Sequence, residues 1–438
     1  MRETPPSPIS RLFAWRRESQ CRIMRPFEQA IEAACAAEEI PGAVLLASDR
    51  NGSFHYARAF GKRSVRPGAD QSPLDVDSVM WIASCTKVVT ALAALQCVER
   101  GLLSLDGPVY DVLPELRHLP VLTRFEPQND DDGGGGGNKP VLVPHRRPLT
   151  LRHLLTHASG LAYDETHPKL LAWHAWHRSA PGRAARVEAR YGYPLVFEPG
   201  EGWCYGAGVD WAGVAVERAS GGVSLQRYCE ENIFGPVGAR DIVFSSYMYS
   251  RPDLAARVVD MSKRDPGDAR RVIRSNARAQ HNERGGCFGG LGLFASPGAF
   301  MRVLRGLLRS DGDGVLLSRE GVEEFFRPCL SERSKAALNK VVAEEEARRG
   351  MGNLPASVSK DWGLGGIVNE GDVPGGRRAG SMTWTGLPNL AWFVDRKAGV
   401  CGLYAGQLYP PADPKATELC GEFEKGIYEM ISGVSPKL

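Results

Sequence analysis

Ser84 and Lys87 stand three residues apart in the run Trp81-Ile82-Ala83-Ser84-Cys85-Thr86-Lys87-Val88-Val89. At the start of a helix that spacing puts both side chains on one face. A serine hydroxyl is a weak nucleophile until a base takes its proton. A lysine serves as that base only as the neutral amine, a form that apolar neighbours such as Trp81, Ile82, Val88 and Val89 favour. The helix N-terminus also favours negative charge developing on the serine oxygen. The chemistry within reach is acyl transfer through a serine ester. The spacing alone is a weak signal, because a helix-capping serine beside a solvated lysine has it too, and a second copy occurs at Ser357-Val358-Ser359-Lys360. The second copy lies next to Pro355 and Gly363 and opens no helical pattern; the first opens an apolar one.

Two more segments could complete such a site. In Trp203-Cys204-Tyr205-Gly206-Ala207 the tyrosine could relay a proton between Ser84 and a leaving group, if a lysine lies close enough to stabilise a phenolate. Read alone, it is a buried tyrosine with a satisfied hydroxyl. The run Gly380 to Leu387 (GSMTWTGL) reads as a strand edge whose glycine, Gly386, admits a substrate close to the backbone, where donors for an oxyanion are needed. Read alone, it is an edge strand with no role. Trp81, Trp203 and Trp384 sit in or beside the three segments and predict an aromatic pocket that excludes water and holds a hydrophobic acceptor. Trp173, His174, Trp176 and His177 either line an acyl or acceptor pocket or pack a helix.

Other chemistries find less support. There is no G-x-S-x-G elbow, G-x-G-x-x-G fingerprint or P-loop. His153 and His157 are four apart, as in a zinc helix, but Leu154 stands where the metalloprotease pattern has Glu, so both read as structural and no metal is expected. No organic cofactor is implied. Arg264, Arg270, Arg271, Arg274, Arg278 and Arg284 form a basic stretch that either meets an acidic carrier protein or is a solvated loop.

The elements that must position these residues follow from patterning. A helix is predicted over Pro26–Glu39, strands over Gly42–Ser48 and Ser53–Phe60 about an Asp49–Gly52 turn, and a helix from about Ser84 to Arg100 capped by Gly101. Residues from Leu151 to about Arg240 read as mostly helical, Ala295–Leu308 as a helix, Asn389–Val394 and Val400–Tyr404 as strands, and Thr417–Ile431 as a closing helix. Strands at both ends with helices between predict one sheet built from both termini around an inserted helical region. The expected organisation is a single domain over residues 26–438, with a sheet part at about 26–80 and 285–438 and a helical part at about 81–284. Residues 126–139, an acidic run followed by five glycines, cannot bury a core and read as an exposed insertion. The arginine- and proline-bearing first 25 residues read as a disordered tail, with a targeting peptide as the alternative.

Composition sets outer bounds. The 438 residues are 43% hydrophobic and 24% charged, which is ordinary for a globular chain. The formal charge is +3 from 54 basic and 51 acidic residues, too small an imbalance to argue for nucleic acid. No apolar run is long enough to span a bilayer. Ten scattered cysteines without a C-x-x-C pair, and no secretory segment, predict reduced thiols in a cytoplasmic protein.

Taken in chain order, S-x-x-K, a tyrosine motif and a K-T-G-like strand resemble the serine β-lactamase, penicillin-binding protein and esterase superfamily. Leu151-Arg152-His153-Leu154-Leu155-Thr156-His157-Ala158-Ser159-Gly160-Leu161 is similar to a structural segment of its esterase-like members. Ala94–Asp106 (ALQCVERGLLSLD), Trp203–Gly213 (WCYGAGVDWAG), Cys287–Phe300 (CFGGLGLFASPGAF) and Gly380–Trp392 (GSMTWTGLPNLAW) resemble the fungal lovastatin-type polyketide acyltransferases. The similarity runs from about residue 27 to the C-terminus. It implies an α/β (α+β) fold of the β-lactamase/DD-peptidase kind: an antiparallel sheet flanked by helices, with the site between the sheet and the helical region. It implies Ser84 as nucleophile, Lys87 and Tyr205 as the acid–base pair, and the backbone N–H groups of Ser84 and Leu387 as oxyanion hole. It implies transfer of an acyl group from a thioester, free or on an acyl carrier protein, to a hydroxyl of a hydrophobic acceptor. Two departures stand out. Trp384 replaces the lysine of K-T-G, and Ala207 replaces the asparagine two residues after the tyrosine. Both remove groups that hold a lactam substrate and leave ester or thioester chemistry intact. Ester hydrolysis is the nearest alternative, lactam hydrolysis a distant one, and an inactive ligand-binding homologue the alternative outside enzymes.

Overall fold

A computed structural model describes residues 24–68, 72–127, 138–182, 184–275 and 285–433. Helix α1 (Pro26–Ala36) leads into strands β1 (Gly42–Asp49) and β2 (His55–Gly61). Helix α2 spans Thr86–Glu99, α3 Gly208–Ala219 and α4 Pro297–Asp313. The C-terminal part supplies β3 (Lys360–Trp362), β4 (Ile367–Asn369), β5 (Met382–Gly386), β6 (Leu390–Asp395) and β7 (Val400–Ala405), then α5 (Pro414–Ile431).

These strands form one antiparallel sheet in the order β3-β4-β5-β6-β7-β1-β2. Strand β1 pairs with β7 from Val44↔Ala405 to Asp49↔Val400, so the sheet is closed by its two chain ends, as the pattern predicts. Side chains alternate across a sheet, and register therefore assigns faces. Leu46, Trp384, Trp392 and Leu403 lie in the large core that also holds α2. Leu45, Phe393 and Tyr404 face the other way, onto Phe27 and Ile31 of α1 and Phe423 and Ile427 of α5. A sheet covered on both faces explains why β1 is continuously apolar from Ala43 to Ala47 instead of alternating.

Helix α2 is apolar all round, and Thr86 through Cys97 are all buried, as expected of a helix enclosed on every side. It ends where Gly101 takes a left-handed φ of 71°, the glycine stop read from the sequence. The acidic and glycine-rich run joins two paired strands, Pro120–Pro127 and Asn138–Pro144. Residues 126–127 and 138–139, expected to belong to the insertion, are part of that ladder; 128–137 lie outside the described residues. The predicted N-terminal tail, apart from Met24 and Arg25, also lies outside them.

Candidate active site

Ser84 sits in a single 3-10 turn, Ala83–Cys85, that feeds directly into α2. Ala83 has a φ of 44°, a left-handed conformation that costs a non-glycine residue energy and recurs at functional turns. The turn is pinned by Thr86, whose hydroxyl donates to Ala83 O at 2.6 Å and accepts from Leu293 N at 3.1 Å. Strand β5 closes on the turn through Gly386. A Cβ there would lie 2.5 Å from Ile82 O and 3.2 Å from Cys85 Sγ, so only glycine permits the approach. Ser84, Tyr205, Trp384, Gly386 and Leu387 all line one cavity of about 1040 Å³.

Lys87 is 2% exposed. Its Nζ donates to Gly290 O at 2.8 Å, to the Tyr163 hydroxyl at 3.1 Å and to Ser84 Oγ at 3.5 Å. It meets Tyr205 through the ring face, 4.5 Å from the centroid, while the Tyr205 hydroxyl accepts from Trp384 Nε1 at 3.3 Å. The spacing argument thus places the Ser84–Lys87 pair. Lys87 and Tyr205 are brought together, with the lysine nitrogen over the ring face and the tyrosine hydroxyl turned to Trp384.

Tyr205 is held from behind by His157. Cys204 N donates to His157 O at 3.1 Å and Gly206 N to His157 Nδ1 at 3.3 Å, on either side of the tyrosine. The imidazole ring lies 4.7 Å from the Tyr205 ring. Burial, aided by the nearby Lys87 charge, pushes the His157 imidazole well below its usual range, so it is neutral. With Nδ1 accepting, its proton belongs on Nε2. Among the described residues, no group of three or more His, Cys, Asp or Glu side chains is placed to hold a metal.

Three residues at the centre of this arrangement escaped the sequence reading: Tyr163, Asp210 and Gly290. Asp210 is fully buried on α3, accepting from Gly290 N at 2.8 Å and from the Tyr163 hydroxyl at 3.5 Å. Burial raises its carboxyl to about 6, against the lowering effect of Lys87. The available signals were a lone acid among apolar residues five positions after Tyr205, and the paired glycines of Phe288-Gly289-Gly290.

The predicted aromatic pocket is only partly assembled. Trp384 is 2% exposed yet lines the cavity, its ring 5.0 Å from Tyr205 and 4.7 Å from Trp362. Trp203 is buried behind it, against Trp362 and His157, and is not among the cavity-lining residues. Trp81 turns away into a small cluster with Val243 and Phe294, and its indole N–H donates to Leu291 O at 2.8 Å. Trp173 and Trp176 lie on the helix Pro168–Trp176, away from the cavity lining. Trp173 stacks on His177 at 4.8 Å, and Trp176 is exposed. His174 is bound to Asp164 and Ser179.

The second S-x-x-K is not a nucleophile–base pair. Ser357 is exposed, and buried Lys360 donates to Pro355 O at 2.7 Å and Val358 O at 2.6 Å. In the basic stretch, Arg264 is bound to Asp413 at 2.6 Å, Arg271 to Glu38, and Arg274 to Asp260 at 3.7 Å. Arg278 and Arg284 lie outside the described residues.

Residues 27–419 match the beta-lactamase family. The monacolin J acid methylbutanoyltransferase of Aspergillus terreus is 40% identical over 407 residues, covering 92% of this chain and 94% of that one. The lovastatin esterase of Penicillium rubens is 37% identical over 403 residues, covering 92% and 97%. The solved structure of a mutant simvastatin synthase from Aspergillus terreus superposes with a TM-score of 0.83 at 39% identity, covering 93% and 95%. A sheet closed by both chain ends, a serine–lysine pair opening a buried helix, and these matches over nearly the whole length place the chain in the beta-lactamase family.

Proposed function

We propose that this chain is a serine acyltransferase that moves an acyl group from a thioester, by way of Ser84, to a hydroxyl of a small hydrophobic, polyketide-like acceptor. The observation that carries the reading is buried Lys87 Nζ, 3.5 Å from Ser84 Oγ and 4.5 Å from the Tyr205 ring centroid, with Ser84 and Tyr205 lining one cavity. Ser84 Oγ attacks the thioester carbonyl and its proton passes through Lys87 and Tyr205 to the departing sulfur as the C–S bond breaks. The acceptor oxygen then attacks the acyl-serine, its proton returns by the same pair to Ser84 Oγ, and the ester leaves. The N–H groups of Ser84 and Leu387 receive the oxyanion in both steps.

The substrate class rests on the relatives, one of which is named for methylbutanoyl transfer to monacolin J acid. The donor is a thioester, free or on an acyl carrier protein, and the reaction belongs to secondary metabolism. Unpaired thiols at all nine described cysteines support a cytoplasmic placement. No helix of the described residues is long and apolar enough to cross a membrane. Hydrolysis is the second reading, favoured by the likeness to a lovastatin esterase. The two are separated by loading the enzyme from a short acyl thioester and following ester and free acid with and without a panel of polyketide alcohols. Ester should dominate with at least one alcohol. Free acid dominating with every acceptor, with fast hydrolysis in its absence, makes the protein an esterase.

A further inference from the structure

Lys87 and Asp210 are both buried and are joined by two bridges. On one side Lys87 Nζ donates to the Tyr163 hydroxyl at 3.1 Å, and that hydroxyl donates to Asp210 Oδ2 at 3.5 Å. On the other, Lys87 Nζ donates to Gly290 O at 2.8 Å, and Gly290 N donates to Asp210 Oδ1 at 2.8 Å. The two routes close a ring. Both hydrogen bonds on the tyrosine route run from the lysine toward the carboxyl group, and each carboxyl oxygen accepts one bond. The ring is tight: a Cβ on Gly290 would lie 2.4 Å from Asp210 Oδ2.

We propose that Asp210 is a positioning residue, the buried carboxyl group that fixes Lys87 against Ser84 through Tyr163 and the Gly290 backbone. The inference rests on the assignment of Ser84 and Lys87 to acyl transfer. The buried Lys87 nitrogen rests on the acceptors it can reach, and Asp210 fixes two of them, the Tyr163 hydroxyl and the Gly290 peptide. It also limits the search of a flexible four-carbon side chain to one geometry, which proton transfer requires. The charged and titratable groups facing Asp210 are Lys87, Tyr163, Tyr191, Tyr193 and Arg190, and Arg190 is itself bound to Asp164 at 2.9 Å. With its carboxyl held up to about 6 by burial, Asp210 is ionised above that pH and loses its charge as pH falls through it.

The test is the rate of acyl-enzyme formation from a short acyl thioester, followed by intact mass across pH, for wild type, Asp210→Asn and Tyr163→Phe. Asp210→Asn keeps the shape and an acceptor for Gly290 N but removes the charge. Acylation should slow by about ten- to a hundredfold, the scale of a lost hydrogen bond to a charged group. The wild-type fall in rate below about pH 6 should vanish from its profile. Tyr163→Phe keeps the carboxylate, so it should slow acylation by a smaller factor and retain the fall at low pH; it answers the question if Asp210→Asn does not fold. A folded Asp210→Asn with wild-type rate and pH profile, or a folded Tyr163→Phe with unchanged rate, overturns this inference alone. A wild type that takes up no acyl group overturns the Ser84 assignment and this inference with it.

Discussion

The indole N–H of Trp384 donates to the hydroxyl oxygen of Tyr205 at 3.3 Å. Trp384 occupies the position where the resemblance to K-T-G strands would place a lysine. A neutral donor there supplies no cation for a substrate carboxylate, and in the proposed mechanism it supports the tyrosine oxygen as charge develops on it. Trp384→Phe keeps the ring and deletes the donor. Acylation by a short thioester should slow about three- to thirtyfold, the scale of one hydrogen bond of about 1 kcal/mol or somewhat more. Stopped-flow or quenched mass measurements on the folded variant check this, and an unchanged rate would show that the N–H is not used.

Lys87→Ala and Tyr205→Phe should each lower turnover by several powers of ten, roughly the loss seen when one member of a coupled acid–base set is removed. Lys87 Nζ lies on the face of the Tyr205 ring, and in the proposed scheme the two act as a unit, so the double variant should be little worse than either single one. Losses that multiply would break the shared-proton scheme.

Leu387 follows Gly386, whose missing Cβ lets β5 approach the Ser84 turn. Leu387→Ala should be mild, since the proposed donor is backbone. Leu387→Pro removes that N–H and should cost about a hundredfold or more in rate. Gly386→Ala should act in the same direction by pushing the strand away from Ile82 O. Circular dichroism must first show each variant folded; full activity in a folded Leu387→Pro contradicts the oxyanion assignment.

The site was legible in the sequence where chemistry is local. The contact between Ser84 and Lys87 follows from their spacing at a helix start, and the close approach at Gly386 from a glycine in a strand. The closure of the sheet by β1 and β7 follows from strands at both ends of the chain. What the sequence could not supply is direction. Trp81, two residues before Ala83 of the Ser84 turn, packs with Val243 and Phe294 outside the cavity lining and spends its N–H on Leu291 O. Trp203, two residues from Tyr205, packs behind it on Trp362. Asp210 was hidden for a different reason. Its partners, Tyr163 and Gly290, lie far off in the chain, and a lone acid in an apolar helix gives no hint of which residues will neutralise it.

Ser84 Oγ is the atom that carries the acyl group in the proposed transfer. Incubation with a short acyl thioester, followed by intact-mass measurement, should show one acyl adduct on the wild type and none on Ser84→Ala, while Ser357→Ala behaves as wild type. An adduct that persists in Ser84→Ala would contradict it, since the nucleophile would then lie elsewhere.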